Sequence, residues 1–492
     1  MLRLASVVAA LAVASAAPCR AQASRVACAT CHVANDGGPL TETGREYRWR
    51  ANGVDDELAG YHTGVATRFS SAGGGGGSSG AGESGGANGG GDATAPSGFG
   101  RWSGEASFFG RFGRTHQLGK PVPSESAIET LHLHGEGTVG DDSVTFDSDA
   151  FARQGNNSFD GGVSDDGVGF STAQVTWKSA ASGAMARLGR QYVAAGAATR
   201  RVDGLDVRTP FGDSSEVEVF GGVPSDHGFG GVSGDAIGGG RVATRFGESF
   251  GIGASAFYAK DATDPSDAKG GFDASWTPVE KLDLLGHVYY DWIADRVYDG
   301  RVSATWQPSL AWQLSADWIH SVPALFLPKD SIFWVFSVDA YEESALTVTR
   351  RFDARLSGSV YGRHTAYDDG SRLEQAGGSL DARYGPNGED TVGGEVAWQN
   401  EERGSLGGSS VDGDVVFLRG YHQLWWTGSI YTALDASIQH LLSSSGRDAT
   451  LLRAVAGYDP HASWDLEFGV DWRRDPDFDD EVDLFLRVRI RF

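Results

Sequence analysis

The stretch Asp483-Leu484-Phe485-Leu486-Arg487-Val488-Arg489-Ile490-Arg491-Phe492 decides how the rest of the chain is read. Successive side chains of a strand point to opposite faces, so Leu484, Leu486, Val488, Ile490 and Phe492 share one face and Phe485, Arg487, Arg489 and Arg491 the other. The first face is wholly apolar, and the second carries three guanidinium groups. A soluble sheet edge seldom places three arginines along one face of its last strand. A strand standing between lipid and an aqueous lumen has a use for both faces.

The same period-two pattern runs back to about Gly98. Val302, Ala304 and Trp306 alternate with Arg301, Ser303, Thr305 and Gln307; Trp312, Leu314, Ala316 and Trp318 alternate with Gln313, Ser315 and Asp317; Trp464, Leu466, Phe468, Val470 and Trp472 alternate with Asp465, Glu467, Asp471 and Arg473. A soluble sandwich also alternates, but its apolar face closes a core and favours Val, Ile and Leu at its centre. Here tryptophans gather toward strand ends (Trp306, Trp312, Trp425, Trp426, Trp472), as aromatic girdles do at a lipid boundary. Closing strands into a barrel satisfies every backbone group inside a membrane. A strand ending in phenylalanine also resembles the C-terminal signal of bacterial outer-membrane barrels. The expectation is an all-β transmembrane β-barrel over 98–492. About twenty alternating runs can be marked; single-chain bacterial barrels have even strand numbers, and treating some early runs as loop hairpins gives 16–18 antiparallel strands. The acidic stretch Asp475-Pro476-Asp477-Phe478-Asp479-Asp480-Glu481 reads as an exterior turn before the last strand, either simply solvated or a mouth that attracts cations.

The first 23 residues have the form of an export signal, with Arg3, an apolar run from Leu4 to Ala17, and Ala21-Gln22-Ala23 fitting the small-x-small cleavage rule. Cys19 falls inside this segment. Its removal takes away two arginines and no acids, so a net charge of −24 becomes about −26. Nucleic acid is an unsuitable partner for so acidic a chain. No later run of eighteen apolar residues offers a membrane helix. Seventy-one glycines, fourteen tryptophans and only two methionines favour a glycine-rich, aromatic β protein. Residues 71–97 form a Gly/Ser-rich linker with a random-coil span of ~30 Å.

Between signal and linker lies a small unit, 24–70, too short to bury a sufficient apolar core unaided. It contains Cys28-Ala29-Thr30-Cys31-His32, the Cys-x-x-Cys-His pattern of haem c attachment, in which two thiols become thioethers and the histidine ligates iron. A disulfide between Cys28 and Cys31 would leave His32 unexplained. The expected cofactor is one covalent haem c, held by Cys28, Cys31 and His32 in a small, mainly α domain whose missing core the porphyrin supplies. Thr41 could cap a short helix that lays Tyr47 on the ring. The unit has no methionine for a His/Met haem; His62, in Gly60-Tyr61-His62, is the candidate distal ligand, set against a histidine that is simply solvated. Met185 shares strand parity with Arg187 and reads as a lumen gap-filler.

This order of parts resembles the fused monohaem cytochrome c–porin family of outer-membrane iron oxidases, as does Pro39-Leu40-Thr41-Glu42-Thr43-Gly44-Arg45-Glu46-Tyr47 after the haem motif. The family's Phe-Ala-Arg-Gln stretch ahead of the first haem cysteine is missing, and the long glycine linker is not among its expected features. The resemblance implies electron transfer across the outer membrane: extracellular Fe(II) gives one electron to the haem, and a periplasmic c-type cytochrome removes it. An apolar band ~25 Å tall exceeds what one fixed haem can bridge, so the haem unit would enter the lumen or move. Two other readings fit the same parts: outward transfer to an extracellular acceptor, and a diffusion porin whose haem unit is a sensing or docking appendage. The outer membrane and its lipopolysaccharide are the expected surroundings in all three.

Overall fold

A computed structural model describes residues 98–117, 120–156, 167–225, 235–260, 267–325, 340–386, 388–402, 413–442, 448–460, 463–475 and 478–492. They form 22 antiparallel strands, from β1 (Gly98–Gln117) to β22 (Phe478–Arg491). Each strand pairs with the next, and β22 returns to β1. The seam runs in register from Glu105↔Arg491 to Gly113↔Asp483, and Gly104 and Phe492 exchange backbone hydrogen bonds of 2.7 and 3.0 Å beyond it. A sheet closed in this way has no edge to leave backbone groups unpaired. No described helix is long and apolar enough to cross a membrane.

The strand number corrects the expected 16–18. Each marked run does fall on a strand, the early ones included, and two strands carry no mark: β3 (Asp142–Asn156) and β6 (Ala198–Phe211). In β3 the outward row Val144, Phe146, Ser148, Ala150 is interrupted by a serine and small residues. In β6 the parity is obscured because Ala198 and Val202 point inward and are fully buried, while Leu205 and Val207 point outward. The expected exterior turn at 475–481 is also mostly strand: β21 (Trp464–Asp475) and β22 leave only 476–477 between them, and Glu481 pairs in register with Arg473.

Connections at one end of the barrel are short. They span two to six residues, as at 140–141 and 310–311, and both Gly98 and Phe492 lie at this end. The opposite end carries the long ones, among them 157–166, 225–235, 322–340 and 403–412. In outer-membrane barrels the short turns are periplasmic and the long loops extracellular.

The outer surface is apolar. Leu205, Val242, Phe272, Val302, Leu346, Val360, Leu380, Val396, Leu418 and Phe468 are all exposed, and all lie on the outward parity of their strands. Toward the short-turn end the same parity carries Trp102, Phe246, Trp276, Trp306, Trp312 and Trp464; toward the other end it carries Tyr258 and Trp472. Phe250 and Tyr258 on β9 (Phe250–Lys260), like Trp464 and Trp472 on β21, are eight residues apart, ~27 Å along the strand. That separation, reduced by strand tilt, matches an apolar band of ~25 Å between two aromatic girdles. This is the architecture of an outer-membrane β-barrel.

Candidate functional site

Cys28, Cys31, His32 and His62 lie outside the described residues, as do the rest of 24–70, where a mainly α haem domain is expected, and the linker 71–97. The described site is the lumen. Its wall is a lattice of ion pairs between neighbouring strands, and the three arginines of β22 show how it is built. Arg487 and Arg489 stand directly opposite Glu467 and Asp465 on β21. Arg487 donates to Glu467; Arg489 Nε and Arg491 Nη2 donate to Asp465 Oδ2 at 2.8 and 2.6 Å. Asp465 is nearly buried, so its charge has exchanged water for two guanidinium groups. The same motif recurs around the wall. Arg453 binds Asp471 through both its Nε and Nη2, at 2.7 and 2.9 Å; Arg301 donates to Asp317 at 2.9 Å; His287 and Asp299 are 3.0 Å apart. Phe109 and Phe485 also face inward and pack with ring centroids 5.9 Å apart, and the Arg453 guanidinium lies over Phe485.

Arg187, on β5 (Met185–Ala195), is inward as its parity suggested and donates to the fully buried Asp206 of β6. Met185 has the same parity and stands opposite Arg208, which donates to Glu218 at 3.0 Å.

One part of the lumen is not polar. The turn between β5 and β6 lies at the long-loop end, yet Val193, Ala195, Ala197 and Ala198 are 0–4% exposed. They pack with Val202, Phe220, Ile237 and Phe257 in one apolar cluster. Burying the five larger side chains contributes roughly 10 kcal/mol at about 2 kcal/mol each. Polar contacts fix the tip as well. Ala197 N donates to Ser255 Oγ on β9 at 2.8 Å, Tyr298 Oη on β12 (Arg296–Ser309) donates to Ala197 O at 3.1 Å, and Arg200 Nη2 donates to Asp267 Oδ2 on β10 (Asp267–Val279) at 2.8 Å. β6 and β12 are six strands apart, roughly 30 Å along the wall at ~4.8 Å per strand. A two-residue turn bridges that arc only by crossing the interior as a chord.

The backbone permits the crossing at a row of glycines. Gly189, Gly204 and Gly222 are paired across β5, β6 and β7 (Ser215–Pro224). A Cβ on Gly204 would stand 2.1 Å from Gly221 O, and one on Gly222 2.3 Å from Asp203 O, so the strands approach there more closely than any side chain allows. At the tip, Gly196 has φ +61°, and a Cβ would meet Ser255 Oγ at 2.2 Å.

A second segment joins the cluster from the long β13–β14 connection. Val322 and Leu325 pack with Tyr298, Tyr289 and Ala340, and Leu325 O accepts a hydrogen bond from the Lys269 ammonium. Lys269 is only 3% exposed; it also donates to Asp267 at 3.1 Å and lies 4.7 Å over the Tyr298 ring. Parity arithmetic had no means of marking this cluster. The available signal was Val193-Ala194-Ala195-Gly196-Ala197-Ala198, which has no polar side chain where a solvated loop would carry several.

No family model matches the chain, and no curated protein matches it in sequence. Solved structures resemble it in fold. The translocation pore of the P pilus usher PapC is 10% identical with a TM-score of 0.47, covering 79% of this chain and 99% of its own. Pseudomonas aeruginosa OpdK with vanillate is 12% identical with a TM-score of 0.42, covering 80% and 100%. Pseudomonas aeruginosa OccD3 (OpdP) is 12% identical with a TM-score of 0.38, covering 81% and 93%.

Proposed function

We propose that this chain is an outer-membrane channel of porin type that carries one covalent haem c ahead of its barrel. The observation that carries the channel is the division of the barrel's two surfaces: exposed Leu, Val and Phe outside, paired Arg, Asp and Glu inside. The carboxylates of these pairs are buried, but the Arg453 and Arg489 side chains are 38% and 31% exposed, and a charge left partly open needs water beside it, since hydrocarbon would leave its remaining N–H groups unpaired. Small polar solutes cross by diffusion along that wall. Liposomes containing the full mature chain should swell in an isosmotic solution of a small sugar; liposomes that stay tight would count against the channel.

Cys28-Ala29-Thr30-Cys31-His32 behind an export signal favours a second reading, in which the chain also moves electrons. Cys28 and Cys31 would hold the porphyrin through thioethers, and His32 and His62 would ligate its iron. The haem would supply a one-electron carrier between Fe(II) outside the cell, as donor, and a periplasmic c-type cytochrome, as acceptor. Rapid haem reduction by Fe(II) at neutral pH in purified protein supports this reading; a haem that reacts with dithionite but not with Fe(II) removes iron as the donor.

A further inference from the structure

We infer that the β5–β6 hairpin is the channel's size-determining constriction, latched across the lumen by Ser255 and Tyr298. This rests on the channel reading and adds the element that sets what passes. Three independent observations converge on it. The tip is buried on the inner side of the wall although it belongs to the long-loop end. It is bonded to β9, β10 and β12, none of which neighbours β5 or β6 in the sheet. The glycine row beneath it lets the hairpin leave the cylinder of the wall.

The consequence follows from the barrel's dimensions. Twenty-two strands tilted as in other barrels enclose, in circular section, a cylinder roughly 40 Å across at the backbone. An unobstructed lumen of that width would pass small folded proteins. The chord drawn by the hairpin fills the sector between β5 and β12 with Ala, Val and Phe side chains, so the passage left at this level runs along the ion-paired wall. The tip holds no charge of its own between Tyr192 and Thr199. It therefore discriminates by size, and charge selection belongs to the facing wall.

The latch makes the arrangement testable in the full mature chain. Ala197→Cys combined with Ser255→Cys puts a thiol on each of two residues that touch through Ala197 N and Ser255 Oγ, and a short bifunctional thiol reagent should join them; the crosslinked peptide is read by mass spectrometry. In planar bilayers, a variant with residues 192–201 replaced by a two-residue turn should show a larger single-channel conductance and admit larger sugars than the wild type. The double variant Ser255→Ala/Tyr298→Phe removes two hydrogen bonds while the apolar cluster and the Arg200–Asp267 pair still hold the tip, so it should step between two conductance levels more often than the wild type. Absence of the crosslink overturns the inference. So does equal conductance of wild type and both variants, which leaves the channel itself standing. If neither wild type nor variants conduct, the channel reading falls and takes the constriction with it. A silent wild type beside a conducting short-tip variant also overturns the inference, because the hairpin then closes the lumen instead of setting the size of a passage.

Discussion

Replacing Leu346 by arginine separates a lipid-facing strand from a solvent-facing one by the sign of the effect. Leu346 is at the middle of β14 (Tyr341–Arg351), between Ala316 and Gly362 of the flanking strands, and is 53% exposed. On a soluble protein, exchanging a half-exposed leucine for arginine would be neutral or helpful to solubility. In a barrel wall it puts a charge near the centre of the hydrocarbon, where Arg costs about 2–4 kcal/mol. By the rule of tenfold per 1.4 kcal/mol, the folding equilibrium should fall by roughly 30- to 700-fold. The adjacent Thr347 has inward parity, opposite Ser315 and Tyr361, so Thr347→Arg meets the aqueous side and should cost less than about 1 kcal/mol. Urea unfolding of both variants in lipid vesicles, followed by tryptophan fluorescence, measures the difference. Equal stabilities, or a gain from Leu346→Arg, would refute the assignment of inside and outside.

Further outcomes follow from individual residues. Arg453→Met leaves Asp471, 2% exposed, without its bidentate partner and should destabilise the barrel by about 3–5 kcal/mol; adding Asp471→Leu should recover most of that loss in the same urea titration. Gly104→Val, whose Cβ would stand 2.7 Å from His132 O and from the Phe492 ring, obstructs the seam and should cost roughly 1–3 kcal/mol, seen as loss of the folded, fast-migrating band on unheated gels. Cys28→Ser/Cys31→Ser should abolish covalent haem on a haem-stained gel while the barrel still assembles in the outer membrane. His62→Ala should shift the Soret band of the purified protein; an unchanged spectrum removes His62 as a ligand.

Inside and outside were legible in the sequence because the wall has a two-residue period and two unlike solvents. Arg187, Arg487 and Arg489 face the lumen as their parity required. Which carboxylate meets which arginine was not legible. Asp206 lies nineteen residues from Arg187 and Asp483 lies 372 from Arg111, distances set by the register of hairpins and by closure of the ring. The strand number was underestimated where alternation carries two meanings. Val202 is apolar because it packs in the apolar cluster inside the barrel, and Leu205 because it faces lipid, so β6 switches apolar parity midway and reads as no strand. Treating some early runs as loop hairpins lowers the number further, whereas every early run is a strand needed to complete the ring. The acidic run at 475–481 misled in a related way: Asp480 and Glu481 are charged because this end of the strand projects toward water, with Asp480 4.0 Å from Arg474, and not because the chain turns there.

A water-filled, ion-paired lumen within a lipid-facing wall carries ionic current, which single-channel recording on the full mature chain in a planar bilayer detects. Conductance should be stepwise and reproducible, persist with the N-terminal unit in place and rise when the β5–β6 tip is shortened. A correctly assembled barrel that carries no current in either form would contradict it.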